Sequence, residues 1–287
     1  VITIQGNKVV LFGGSGFLAG ALIPRLQAAG ASDILCVARN EGNLIKTQQQ
    51  YGVEILSGDV ADRCIAARAI DTGDIVMNLA AFKHVGLAET SSFQCARSNV
   101  MGLMTLLTET MLPELEIKAF LFISTDKAAA PVKGVYGATK FLGERLVQEA
   151  AHTNPQTAYR IVRYGNILYS TGSVLCKWKD ALARGQALTI TDPDATRFYW
   201  TADQAVDLIF ECFEKAIDCS PYIGEMKAIR MGDLLEAMIQ KYGNGTRPAI
   251  VQSGLQPGES KHEILVESGL NSQEAEQYTP EEVLALI

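Results

Sequence analysis

Tyr136 and Lys140 stand four residues apart, a spacing that brings both side chains to one face of a helix. A phenol beside an ammonium is a proton-transfer pair. Tyrosine, with an ordinary pKa of about 10, is a poor base at neutral pH, and a neighbouring positive charge favours its phenolate. A second group lies upstream in Ser124-Thr125-Asp126-Lys127, at the carboxyl end of the preceding strand, where open α/β sheets build their sites. Thr125, Asp126, Lys127, Tyr136 and Lys140 are therefore the candidate catalytic residues. Lys127 works as a base only when neutral, which requires its pKa to fall by several units. Desolvation and the charge of Lys140 act in that direction, and an ionised Asp126 acts against it. A plain ion pair at a strand end is the alternative for Asp126-Lys127, and a Tyr-x-x-x-Lys spacing alone is a weak signal.

A glycine-rich turn supplies the context. Gly13-Gly14-Ser15-Gly16-Phe17-Leu18-Ala19 directly follows an apolar run and opens a helical pattern. Gly13 suits the tight turn, Gly16 lets a pyrophosphate approach the backbone, and small Ala19 permits close helix–sheet packing. The helix N-terminus adds donors and positive potential for phosphates. Gly13, Ser15, Gly16, Phe17 and Leu18 are the expected dinucleotide contacts, a ligand-free turn being the alternative. The second strand candidate ends in Ala38-Arg39-Asn40, with no carboxylate for ribose hydroxyls. Arg39 favours a 2′-phosphate and hence NADP, with NAD as the second choice and a solvated surface charge as the bland reading. Asp59 and Val60, after the third strand, are placed to address the adenine. A nicotinamide near Tyr136 implies hydride transfer, and Lys140 can hold its ribose.

These residues need a scaffold, and the hydrophobic pattern describes one. Apolar runs at Lys8 to Phe12, Asp33 to Ala38, Val53 to Ser57, Asp74 to Leu79, Lys118 to Ser124 and Tyr159 to Arg163 read as strands. Helical patterns lie between them at 17–29, 43–50, 61–69, 93–111 and 137–152. Strict alternation predicts an α/β fold, a doubly wound Rossmann sheet of parallel strands joined by right-handed crossovers. Asp126 and Lys127 then fall at the carboxyl end of a strand, where open α/β sheets build their sites. The rhythm breaks near residue 168. Irregular segments at Tyr169 to Ser173 and Thr191 to Arg197, helices near 174–184 and 201–216, and Gly/Pro-rich punctuation from Asn244 to Gly258 predict a smaller lobe. The expected division is a dinucleotide domain over 1–168 and a substrate lobe over 169–287, with the 201–216 helix able to pack back on the sheet.

Composition narrows the function. The chain has 287 residues, 48% of them hydrophobic, and a formal charge of -7 without a run of Lys or Arg, which argues against nucleic acid as a partner. Its 6 cysteines are scattered with no Cys-x-x-Cys pair. They predict reduced thiols, a cytoplasmic address and no metal site. Lys8 followed by Val9 to Ile23 mimics a signal peptide, but its glycines argue against a secretory core and its length against a membrane span.

The motifs together resemble the extended short-chain dehydrogenase/reductases, and within them the soluble, inverting UDP-N-acetylglucosamine 4,6-dehydratases of flagellin-glycosylation and capsule pathways. The resemblance covers almost the whole chain and is carried by Ala80-Ala81-Phe82-Lys83-His84-Val85, Asn99-Val100-Met101-Gly102, Ser124-Thr125-Asp126-Lys127-Ala128-Ala129, Tyr136-Gly137-Ala138-Thr139-Lys140, Val162-Arg163-Tyr164-Gly165-Asn166, Gly172-Ser173-Val174, Thr196-Arg197-Phe198 and Pro257-Gly258-Glu259. The Thr-Asp-Lys triplet is the most specific, because sugar-nucleotide epimerases more often carry other residues after the Ser or Thr. Tyr136, where membrane-bound retaining relatives tend to have Met, favours the soluble branch.

The resemblance implies a lyase with an internal redox cycle. Oxidation at carbon 4 of the sugar acidifies carbon 5; Lys127 then removes that proton, Asp126 protonates the departing hydroxyl at carbon 6, and the stored hydride returns to carbon 6. Reprotonation at carbon 5 on the opposite face gives the inverted 4-keto sugar. It further implies that Ala80 and Ala81 line the cofactor, and that Lys83, His84, Asn99, Asn166, Gly172, Ser173, Val174, Arg197 and Glu259 meet the nucleotide sugar. Asn99 and Asn166 are equally readable as buried amides that order backbone. A helix N-terminus at Gly172-Ser173-Val174 and a bidentate Arg197 suit a diphosphate. A homo-oligomer through the helices near 93–111 and 137–152 is implied too.

Three positions depart from the pattern: Thr171 and Gln256 replace arginines, and Ser260 replaces a Lys, all at the nucleotide end. Each lost charge-assisted bond is worth about 1.5–3 kcal/mol, so another nucleotide sugar comes into view. The loop from Lys127 to Tyr136 is also one residue longer than expected. A 4-epimerase or reductase would need Tyr136 and Lys140 but not Asp126-Lys127. A dinucleotide-sensing protein without turnover would have no use for either pair.

Overall fold

The computed structural model describes residues 1–245 and 247–287; Thr246, within the Gly/Pro-rich punctuation, lies outside them. Six apolar runs form strands β1 (Lys8–Phe12), β2 (Asp33–Ala38), β3 (Glu54–Ser57), β4 (Ile75–Asn78), β5 (Ala119–Thr125) and β6 (Ala158–Tyr164). Several are apolar on both faces because helices cover both sides of the sheet. The helices are α1 (Phe17–Ala28), α2 (Glu41–Tyr51), α3 (Arg63–Ala69), α4 (Val85–Thr90), α5 (Ser92–Ala96), α6 (Gly102–Thr110) and α7 (Gly134–Thr153). Beyond them come β7 (Asn166–Ile167), α8 (Val174–Ala183), β8 (Leu188–Ile190), β9 (Thr196–Trp200), α9 (Ala202–Lys215), β10 (Pro221–Ile223), β11 (Ala228–Arg230), α10 (Met231–Tyr242), β12 (Ile250–Gln252) and α11 (Pro280–Leu286).

The large sheet has 7 strands in the order β10-β6-β5-β4-β1-β2-β3, all parallel. Strand order reverses between β1 and β4, which opens the crevice in which doubly wound sheets bind ligands. One face packs Leu22, Ile23 and Leu26 of α1 against Val206 and Ile209 of α9. The other packs Leu103 and Leu106 of α6 with Val147 of α7. A separate apolar cluster joins Leu175 and Trp178 of α8 to Leu234 and Met238 of α10 and Val283 of α11. The chain thus crosses residue 168 and returns: α9 caps the large sheet and β10 extends its edge beside β6.

Two segments differ from the hydrophobic reading. The single helix expected over 93–111 is α5, a π-helical turn at Arg97–Met101 and α6 in succession. The irregular stretch expected through Arg197 ends instead in β9, every residue of which is buried and which pairs with β7 and β11.

Candidate active site

β1 delivers Gly13 to the turn at φ +85, a conformation that L side chains rarely adopt. A Cβ there would lie 2.7 Å from the Ala80 amide nitrogen, and one on Gly14 would lie 2.6 Å from the Cys36 Cβ. The turn is therefore pressed between the ends of β4 and β2. Gly16 caps α1 without a side-chain hydrogen bond and is exposed, so the first amides of the helix face outward unblocked. Ser15, Phe17 and Leu18 flank them, half-buried. This open cradle of backbone donors fits a dinucleotide diphosphate.

The other residues expected at the cofactor follow the ends of β2, β3 and β4. Arg39 is exposed at the end of β2, just before Asn40 caps α2. Asp59 accepts from the Ala61 amide at 3.0 Å and pairs with Arg97 at 3.6 Å, while Val60 is buried against Gly102. Ala80 and Ala81 lie half-buried beyond β4, with the Ala80 amide donating to Asn78 Oδ1 at 3.1 Å.

The catalytic candidates meet at the carboxyl end of β5. Asp126 and Lys127 leave the strand in a short 3-10 turn, and α7 brings up Tyr136 and Lys140, both buried. Asp126 Oδ1 accepts from Thr125 Oγ1 and from Lys127 Nζ, each at 2.9 Å, and its buried Oδ2 has no hydrogen-bond partner. The Thr125 side chain, whose hydroxyl donates to Asp126, also acts to lower the Tyr136 pKa. Asp126 and Lys127 line a cavity of about 70 Å³ with Lys133, Ser260, His262 and Glu263.

The charges in this site act in a direction that the sequence leaves open. Burial pulls the Lys127 ammonium down, but the carboxylates of Asp126 and Glu263 outweigh it, and Lys127 stands above the ordinary lysine range. The ammonium form of Lys127 is thus favoured, the opposite of the neutral form that a base requires. Lys140 is the lysine that burial does depress, to about 7, against the opposing pull of Glu144 and Cys95. Its Nζ donates to the Ile123 carbonyl at 2.5 Å and lies 4.1 Å from the centre of the Phe122 ring. Burial pushes Tyr136 up to about 12 despite the attraction of Lys127. The resting pair is therefore a neutral phenol and a lysine poised near neutrality.

Asn99 is turned inward. It accepts from the Phe82 amide at 2.7 Å and donates to the Phe82 carbonyl at 2.9 Å and to Thr139 Oγ1 at 3.0 Å. The π-helical turn at Arg97–Met101 thus ties the segment after β4 to α7, and Asn99 orders backbone. Asn166 pairs with Tyr199 across β7 and β9. Arg197 is buried, its Nη1 donating to the Thr196 and Lys261 carbonyls at 2.8 and 2.9 Å and its Nε lying 3.8 Å from Glu263. Two of its nitrogens are thus engaged within the protein, and Arg197 forms an internal ion pair with Glu263. Glu259 likewise closes a turn onto the Gln256 amide at 2.9 Å.

At the start of α8 the second cluster forms. A Cβ on Gly172 would lie 2.9 Å from His84 Cε1, so the imidazole rests against the Gly172-Ser173-Val174 turn. Burial lowers the His84 pKa, and the charges of Lys83 and Lys177 act in the same direction. Ser173 caps α8 without a side-chain hydrogen bond. Thr171 is exposed next to this turn, Gln256 reaches Gly86, and Ser260 lines the catalytic cavity.

The hydrophobic and motif readings missed two groups. Glu144 of α7 accepts from Arg163 of β6 through both oxygens, at 2.9 and 2.6 Å, and from Ser124 at 2.5 Å. Glu263 stands 3.7 Å from Lys127. The sequence signal for it was faint, a His262-Glu263 pair in an irregular segment downstream of Pro257-Gly258-Glu259.

Comparison with known proteins agrees with this architecture. The model of a family described as polysaccharide biosynthesis protein matches residues 9–283. An uncharacterized membrane protein of Methanocaldococcus jannaschii is 34% identical over 91% of this chain and 81% of its own length. A UDP-N-acetylglucosamine 4,6-dehydratase (inverting) of Campylobacter jejuni is 28% identical over 92% of this chain and 78% of its own. The solved structure of Pen from Bacillus thuringiensis superposes with a TM-score of 0.87 at 27% identity, covering 92% of this chain and 85% of that one. Some relatives are longer: the chain spans 45% of a capsular polysaccharide biosynthesis protein of Staphylococcus aureus, 29% identical over 91% of this chain. No helix among the described residues is long and apolar enough to cross a membrane.

Proposed function

The chain belongs to the polysaccharide biosynthesis protein family and is built as an extended short-chain dehydrogenase/reductase of the nucleotide-sugar dehydratase/epimerase kind, and from that premise we propose that it is a nucleotide-sugar 4,6-dehydratase. UDP-N-acetylglucosamine is the proposed substrate and NADP the proposed cofactor, with inversion at carbon 5. The observation that carries the reading is the Asp126–Lys127 pair, joined at 2.9 Å and facing the cavity beside Tyr136 and Thr125. Hydride transfer alone needs Tyr136 and Lys140; an acid and a base held together serve elimination.

Bound in the cradle at Gly13 and Gly16, the nicotinamide dinucleotide supplies a reversible hydride acceptor. Tyr136, as the phenolate left once its own proton has passed to solvent, takes the proton of the carbon 4 hydroxyl. Its high resting pKa means that this transfer needs the positive charge that accompanies the oxidised cofactor and a protonated Lys140. A proton passing from Lys127 Nζ to Asp126 along their hydrogen bond converts the resting ion pair into the amine and carboxylic acid that elimination requires. Lys127 then removes the carbon 5 proton, and Asp126 protonates the carbon 6 hydroxyl as it leaves. Gly172, Ser173 and the cations Lys83 and Lys177 are the proposed seat of the diphosphate. Exposed Arg39 is the proposed contact for a 2′-phosphate.

Two copies are proposed to pair through Phe93, Met101, Met104 and Leu142, large apolar side chains that are exposed on α5, the π turn, α6 and α7. Incubation of purified protein with UDP-N-acetylglucosamine, without added cofactor, should give a 4-keto product lighter by one water in the mass spectrum. Denaturation of the same preparation should release NADP. A product of unchanged mass would mean epimerisation, and no turnover on a panel of nucleotide sugars would exclude both enzymes.

A further inference from the structure

Glu263 is a buried acid that the reaction as drawn leaves without a task. It is 5% exposed, lines the catalytic cavity, and places Oε1 3.7 Å from Lys127 Nζ and 3.8 Å from Arg197 Nε. Its own position is fixed. The Glu263 amide donates to Ser272 Oγ at 2.8 Å, and that hydroxyl is bonded to Thr196 Oγ1 at 2.6 Å and to the Thr196 carbonyl at 3.0 Å. His262, bonded to Thr196 Oγ1 at 2.8 Å, pins the preceding residue to the same strand. Three side chains thus hold a carboxylate against a candidate base, in a segment far from it in sequence.

We propose that Glu263 is a positioning residue that acts through Lys127, holding it as an ammonium in the resting site and so setting how readily Lys127 yields its proton, to Asp126 in the reaction and to solvent in the free site. The groups facing Lys127 come from each element around it. Asp126 precedes it in the 3-10 turn, Tyr136 faces it from α7, Arg197 and Tyr199 from β9, and Glu263 from the C-terminal segment. The first carboxylate is the direct hydrogen-bond partner and the proposed acid. Glu263 is the second, and with Arg197 beyond it the row Lys127–Glu263–Arg197 alternates in sign. Removing its charge leaves Lys127 facing one anion and one uncompensated guanidinium, both changes in the direction of an easier loss of the ammonium proton. An electrostatic partner of this sort keeps the base masked, so that it strips no proton from water or product between turnovers.

The proposal deepens the dehydratase reading, and its test is separable from it because it needs no substrate. The full chain, labelled with ¹⁵N and ¹³C in lysine, is titrated by NMR, and the Lys127 side-chain signal is assigned by its loss in K127M. Wild type should keep Lys127 as an ammonium through the upper end of the accessible range, whereas E263Q and E263A should lose the proton at a midpoint lower by about one pH unit or more, a tenfold change in proton affinity. E263D, which keeps the charge, should return the midpoint toward wild type. Where turnover is seen, the base limb for exchange of the carbon 5 hydrogen into deuterated water should move down in E263Q by the same interval. Circular dichroism establishes that each variant is folded, and E263D carries the comparison with K127M should the neutral variants fail to fold: its midpoint must then respond to the shorter side chain. Titration of Lys127 in folded variants that coincides with wild type, or a Lys127 that stays fully protonated in all of them, overturns the proposal. Absence of a dehydrated product from wild type would instead sink the dehydratase reading and leave the titration result standing.

Discussion

Lys140 is held by competing demands that can be measured. Its folded pKa of about 7, against an ordinary 10.5, means that between these values the unfolded chain binds more protons than the folded one. Stability of the cofactor-free protein should therefore rise as pH increases through that window and be lost as pH falls toward 7. K140M removes the titrating group: its melting temperature should vary less over the same interval and exceed wild type at pH 7, while turnover falls by about 10²–10⁴-fold. Parallel melting curves for the two proteins would refute the buried-lysine account. The residue scale also marks what sequence patterns carry. Tyr136 and Lys140 are four apart on one helix, so local spacing displays their partnership. Glu263 reaches Lys127 only because β9 lies between their segments, and no spacing rule encodes that. The direction of the Lys127 shift stays open in the sequence for the same reason: Asp126 is visible as an opposing charge, but Glu263, which joins it in outweighing desolvation, is not.

At the scale of elements, α7 depends on what its buried face is tied to. Glu144 and Arg163 join α7 to β6 by two bonds, with Ser124 of β5 as a third anchor. E144A leaves the guanidinium uncompensated in the core and should cost about 3–5 kcal/mol in denaturant unfolding. A loss below about 1 kcal/mol would show that Arg163 finds another partner, the Leu265 carbonyl already 2.7 Å from Nη1 being the nearest. The strands and the glycine turn were legible because each is written in contiguous residues: an apolar run, then small residues, then a helical repeat. The π turn at Arg97–Met101 was not, since one extra residue in a helix leaves the apolar periodicity nearly unchanged. β10 was missed because Pro221–Ile223 is too short for a pattern, and it joins the sheet through β6 rather than through its neighbours in sequence.

For the whole molecule, the distribution of exposed apolar side chains is the informative feature. Phe93 is 73% exposed, Met101 52%, Met104 49% and Leu142 45%, all on the helices that cover one face of the sheet. Light scattering coupled to size exclusion should find a multimer for wild type and a smaller species for M104E/L142E, with the circular dichroism spectrum retained. An unchanged mass would place the contact elsewhere.

The turn after β1 has a consequence for how such a protein can change. Gly13 and Gly14 have backbone packed where a side chain would begin, so the phosphate cradle has almost no room for drift. Arg39, just past the end of β2, is exposed. In the proposed binding mode two parts of one dinucleotide are thus governed by positions of opposite tolerance. On that proposal a lineage, or an engineer, can retune the preference at the adenine ribose by surface substitution, while the grip on the diphosphate is inherited as a unit with the fold.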